Sequence, residues 1–131
     1  MLLLYEISVS VDLEVEEAFQ AFIQSHAALV GKIPNFSVAR VYLRDPTHPV
    51  PLNGKDADAP KADRMHRYYT VYYEVEDVYS LQAWIEQEEP KFAADLQKLT
   101  NGNPELIKVT SRKVQYPLES WHTVERSDQL P

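Results

Sequence analysis

Cysteine is absent from this 131-residue chain, and glycine occurs only three times. Without thiols there can be no disulfide, no thiolate zinc site and no cysteine nucleophile. Three glycines cannot furnish a dinucleotide-binding fingerprint, and no G-x-x-x-x-G-K-S/T loop occurs. Positive charge is also scarce: thirteen Lys and Arg face twenty Asp and Glu, for a formal charge of −7. That balance argues against a nucleic-acid partner, which needs a basic stripe to displace phosphate counterions. No apolar run approaches the ~20 residues that cross a bilayer. Met1-Leu2-Leu3-Leu4-Tyr5-Glu6 carries no basic region and meets an acid at once, so it reads as no signal peptide. A cytoplasmic protein without a membrane partner is expected. His48, His66 and His122 share no ligand spacing with one another or with acids, so no metal is expected, and only His26 is placed for a haem ligand; no cofactor is expected.

What the chain has is tyrosine, eight residues against four Phe and two Trp. Most of it lies in alternating segments. Residues 2 to 11 place Leu3, Tyr5, Ile7, Val9 and Val11 on one side and Leu2, Leu4, Glu6, Ser8 and Ser10 on the other, the period of a strand. Asp12 then caps a helix whose first turn holds Glu14, Glu16 and Glu17, where the dipole favours anions. Val15, Ala18, Phe19, Phe22, Ile23, His26, Leu29 and Val30 form its apolar stripe, and Gly31 and Pro34 end it. A second strand spans 36 to 45 and a third 66 to 76, the latter setting Tyr69, Val71, Tyr73 and Val75 against Tyr68, Thr70, Tyr72 and Glu74. Asp77 or Ser80 opens a second helix that Pro90 must kink or break. A last strand follows Asn101-Gly102-Asn103-Pro104 and runs to Tyr116, with Ile107, Val109 and Ser111 on one side and Leu106, Arg112, Val114 and Tyr116 on the other.

The order strand, helix, strand, strand, helix, strand is the split βαβ, or ferredoxin-like, α+β arrangement. It predicts a four-stranded antiparallel sheet with the first and third strands central and two helices covering one face. The cationic second and fourth strands suit edges. One domain over 1–116 is expected, with a Pro/Asp-rich loop at 46–65 read as disordered or a lid, and a polar tail at 117–131. Seven of the eight tyrosines fall in the predicted strands, and Tyr42, Tyr68, Tyr72 and Tyr116 point to the face without helices.

That open face, with Leu4, Glu6, Val38, Arg40, Tyr42, Tyr68, Tyr72, Glu74 and Arg112, is too apolar for water and too polar for a dry core. A two-fold copy would make it self-complementary, so a homodimer through this face is expected. Glu6 and Glu74 on adjacent strands admit either a shared-proton acid/base pair or ion pairs with Arg40, Arg44 or Arg112; without a nucleophile the ion pairs are preferred. Tyr42, Tyr68 and Tyr72 suit a flat organic ligand and a dimer interface equally. His26, on the apolar stripe, reads either as a base or ligand contact or as a satisfied core histidine, with the core reading preferred. Glu86, Glu88 and Glu89 read as a solvated face.

The run Tyr5 to Asp12, the helix with Phe19, Phe22 and His26, Asn35-Phe36, the aromatic strand Tyr68 to Glu74, the Pro90 helix and Arg112 together resemble a bacterial domain family of unknown function within the dimeric α+β barrel superfamily. The resemblance spans roughly residues 2 to 116. It implies a ferredoxin-like fold that dimerises through its sheet and a cavity between sheet and helices. That superfamily includes cofactor-independent monooxygenases, haem-degrading enzymes, chlorite dismutases and lactone isomerases. The resemblance makes a monooxygenase- or isomerase-like reaction on a small organic ligand one expectation, and a non-enzymatic ligand-sensing or protein-docking dimer the alternative. His26 matches the family's helix-one histidine. Phenylalanines stand where tryptophans are expected on the first helix, and the insertion after Asp45 departs from the pattern.

Overall fold

Alternation along the sequence becomes alternation in burial. In the first strand, β1 (Leu3–Asp12), every second residue from Leu3 to Val11 is buried and its neighbours only partly so. A computed structural model describes residues 2–44 and 65–118. It runs from β1 through a 3-10 turn (Leu13–Val15), α1 (Glu16–Val30), β2 (Phe36–Arg44), β3 (His66–Val75), α2 (Val78–Gln87) and α3 (Glu89–Leu99) to β4 (Ile107–Gln115). The four strands form one antiparallel sheet in the order β2-β3-β1-β4. β1 and β3, which hold most of the Leu, Ile, Val and Tyr of the strands, are therefore central, and the cationic strands are the edges, as the composition requires.

The core lies between the sheet and the three helices. Tyr5, Ile7, Val9 and Val11 of β1 and Tyr69, Val71, Tyr73 and Val75 of β3 meet Phe19, Ile23 and Val30 of α1, Leu81 and Trp84 of α2, and Phe92 and Leu96 of α3. Each fully buried side chain of this size contributes roughly 1.5–3 kcal/mol of gross burial energy. Among the described residues no helix is long and apolar enough to cross a membrane.

Local chemistry sets the helix ends. Asp12 accepts from the Glu14 amide at 2.8 Å. This two-residue reach closes a 3-10 turn, so α1 begins at Glu16 rather than directly after the cap. Gly31 stays right-handed, and the left-handed residue of that connection is Asn35, at φ 70°. Pro90 breaks the second helix: α2 stops at Gln87, and the proline occupies the first turn of α3, where a missing N–H costs nothing. After α3, Asn101 and Gly102 take positive φ, and the Gly102 amide returns to the Gln97 carbonyl at 2.9 Å.

One expectation about the sheet is corrected. In the β1–β4 pairing Val9 faces Val109 but Ser8 faces Ser111, so Thr110 is an extra residue. A bulge of one residue inverts the facing of everything beyond it. Arg112 and Val114 consequently stand opposite Ile7 and Tyr5, on the helix side and not on the open face. Tyr116 falls beyond β4 altogether and is exposed. Apart from Met65, Pro117 and Leu118, the loop 46–65 and the tail 117–131 lie outside the described residues, as do His48, Trp121 and His122.

Asp77 caps α2 through the Ser80 amide at 2.7 Å. Asp77→Ala is expected to cost about 1 kcal/mol, measured as a lowered urea midpoint with an unchanged m-value.

Candidate functional site

Between α1 and the α2–α3 pair lies a groove of about 240 Å³. Phe22, Leu29, Ile33, Trp84 and Phe92 make its walls apolar, while Ser25, Glu88, Lys91 and Asp95 bring polar groups to it. No sheet residue lines it, so this groove lies within the helix layer rather than between sheet and helices. His26 joins the two, for its ring lines the groove and its Nε2 lies 2.7 Å from the Tyr73 hydroxyl.

The direction of that hydrogen bond follows from burial. Tyr73 is fully buried, and burial first, then the charge of Glu89, raises its phenol pKa above the ordinary 10. It therefore keeps its proton and must donate it. His26 Nε2 is the acceptor, which leaves the imidazole proton on Nδ1. Desolvation lowers the His26 pKa to about 4, opposed only by the charge of Asp95. The ring is packed against Phe22, Trp84 and Phe92, with its centroid 4.4 Å from that of Phe92. A neutral imidazole with Nε2 already engaged is a poor base at neutral pH and a fixed hydrogen-bond donor.

A second cluster lies at the start of α3. Glu89 is only 6% exposed, unlike its exposed or half-buried neighbours Glu86 and Glu88, which corrects its reading as part of a solvated face. Tyr5 donates to Glu89 Oε2 at 3.1 Å, and Arg112 Nη2 stands 2.7 Å from Oε1. That second contact closes the charges without hydrogen-bond geometry, so Oε1 is held by the ion pair alone. Burial, followed by the Glu89 charge, pushes the Tyr5 phenol up to about 12. Neither Tyr73 nor Glu89 stood out in the sequence. The signals were a hydroxyl on a core-facing strand position and an acid directly before a proline that restarts a helix.

The open face gathers the other candidates. Glu6 pairs in register with Tyr72, and Leu4 with Glu74, which sets the two carboxylates diagonally on adjacent strands. Each has its own partner: Arg40 Nη1 donates to Glu74 at 3.1 Å, and the Gln115 amide donates to Glu6. Tyr42 and Tyr72 meet edge to face at 5.3 Å. Burial and then hydrogen bonding to Glu6 raise the Tyr72 pKa. Tyr68 occupies the same face opposite Arg44. Glu6, Arg40, Tyr42, Tyr68, Tyr72 and Glu74 are thus brought together, whereas His26 and Arg112 sit on the far side of the sheet in separate clusters.

Residues 2–103 match the family model of a domain of unknown function, DUF4286. The chain belongs to that family. No curated protein and no solved structure matches it. The DUF4286 match includes His26, Tyr73 and Glu89 but ends before β4, so Arg112 lies beyond it.

Two outcomes test these clusters. His26→Phe strands the Tyr73 hydroxyl and is expected to cost about 1–3 kcal/mol, with His26→Phe/Tyr73→Phe recovering most of the loss. Between pH 6.5 and about 4 the unfolded chain binds a proton that folded His26 refuses. The stability from neutral His26 is therefore complete above pH 6.5 and lost as pH falls toward 4, and the variant should show a shallower acid slope in denaturant titrations. Arg112→Met leaves the buried Glu89 carboxylate unpaired and should cost about 1–3 kcal/mol, whereas Arg112→Met/Glu89→Gln should regain part of it by thermal melting.

Proposed function

We propose that the protein is a homodimer of the dimeric α+β barrel type that binds a small organic ligand in the groove beside His26. The observation that carries this reading is the groove itself, an apolar cleft into which a neutral, oriented imidazole is set. The strand order β2-β3-β1-β4 supports the ferredoxin-like description, with the second helix divided at Glu88. The bacterial origin of the family and a cytoplasmic place for the chain belong to the same reading, as does the absence of a nucleic-acid or membrane partner.

The dimer is supported by the open face. Tyr42 is 51% exposed, and Leu4, Val38, Tyr68 and Tyr72 lie beside it, partly uncovered. An aromatic and aliphatic surface of this kind marks an interface. Binding or sensing is preferred to a monooxygenase- or isomerase-like reaction, because the Nε2 of His26 is engaged and its pKa lowered. The small molecule would enter from the helix side, opposite the dimer face.

Sedimentation velocity at micromolar concentration should give a dimer, and Tyr72→Asp should convert it to a folded monomer. A wild-type monomer, or a Tyr72→Asp dimer, would remove the open face as the interface.

A further inference from the structure

We propose that the groove between α1 and α2–α3 selects a planar organic cation, an ammonium- or amidinium-bearing molecule about one ring in size. The inference rests on the groove being the ligand site and adds the chemical class of its occupant. Size comes first: about 240 Å³ lies below the ~300–1,000 Å³ typical of drug-sized ligands and has room for a single ring system.

Charge preference follows from the walls. Phe22 and His26 bring partly exposed rings to the groove, backed by the buried rings of Trp84 and Phe92, with centroids 5.5 Å apart for Phe22 and Phe92 and 6.2 Å apart for His26 and Trp84. Aromatic faces attract cations through their quadrupoles, more strongly where water is displaced. Because burial keeps His26 neutral, it adds a π-face and no repelling charge. Two carboxylates, Glu88 and Asp95, also line the groove, and the charge of Asp95 reaches the His26 ring. Lys91 is the opposing cation of the lining and stands 3.3 Å from Glu88, while Lys98 is 3.7 Å from Asp95. Both are solvent-accessible pairs three residues apart, the first from the Glu88 cap to α3 and the second within α3, and they neutralise their acids only weakly. A carboxylate ligand would meet Lys91 alone among the lining residues against the two like charges of Glu88 and Asp95.

Benzamidinium, benzamide and benzoate form a series of one shape and three charges. Titration of the full chain with each, followed by the indole N–H signal of Trp84 (assigned against Trp121→Phe) and the ring signals of His26, reads the groove directly. Benzamidinium should shift both sets of signals and bind at least about fivefold more tightly than either other probe. Asp95→Asn on α3 and Glu88→Gln at the cap between α2 and α3, both solvent-accessible, should each shrink that margin. Benzoate or benzamide binding in the groove as tightly as benzamidinium would overturn the cation class while leaving the groove as a ligand site. Signals that respond to none of the three would overturn the groove and the class together.

Discussion

Three tyrosines point from the sheet into the helix layer, and a phenol hydroxyl buried there costs about 1–3 kcal/mol unless it is hydrogen-bonded. Tyr69 accepts from Gln20 and donates to Glu16, both at 2.9 Å, near the start of α1. Tyr73 bonds to His26 near the end of the same helix, and Tyr5 donates to Glu89 at the start of α3. Each bond ties a core strand to a particular turn of a helix. Apolar burial is non-directional and would tolerate a helix slid or rotated over the sheet, whereas these three contacts admit one placement.

The same requirement produces the two polar clusters. His26 is drawn into an aromatic environment because Tyr73 needs an acceptor there, and desolvation then keeps the ring neutral. Glu89 is buried because Tyr5 needs an acceptor and Pro90 places a helix start beside it, where the dipole favours an anion. Arg112 completes that site from the edge strand. It does so only because of the bulge at Thr110, which turns the arginine from the open face to the helix side.

Sheet and helices divide the labour between two faces. The helix side carries the groove and both buried clusters. The open side gathers tyrosine, Glu6, Glu74 and the cations Arg40, Arg44, Lys108 and Lys113. More positive than negative side chains lie on that sheet face, so the net charge of −7 resides elsewhere in the chain. Tyrosine serves each face differently: inward it supplies buried ring area and directed bonds to the helices, outward it supplies partly exposed ring area on the sheet, with Tyr72 hydrogen-bonded to Glu6.

Strand alternation, helix stripes, the break at Pro90 and the central position of β1 and β3 were legible in the sequence, because period and composition are local properties that burial enforces along each element. The six open-face candidates from Glu6 to Glu74 were legible for the same reason. The facing of Arg112 was not, since a single bulge residue reverses parity and no pattern in Ile107–Gln115 announces it. Nor could the sequence pair His26 with Tyr73 or Tyr5 with Glu89, residues 47 and 84 positions apart. Those partnerships, and the groove they leave between the helices, exist only once the tertiary structure has brought distant elements together, because a hydrogen bond depends on position in space and a hydrophobic period does not.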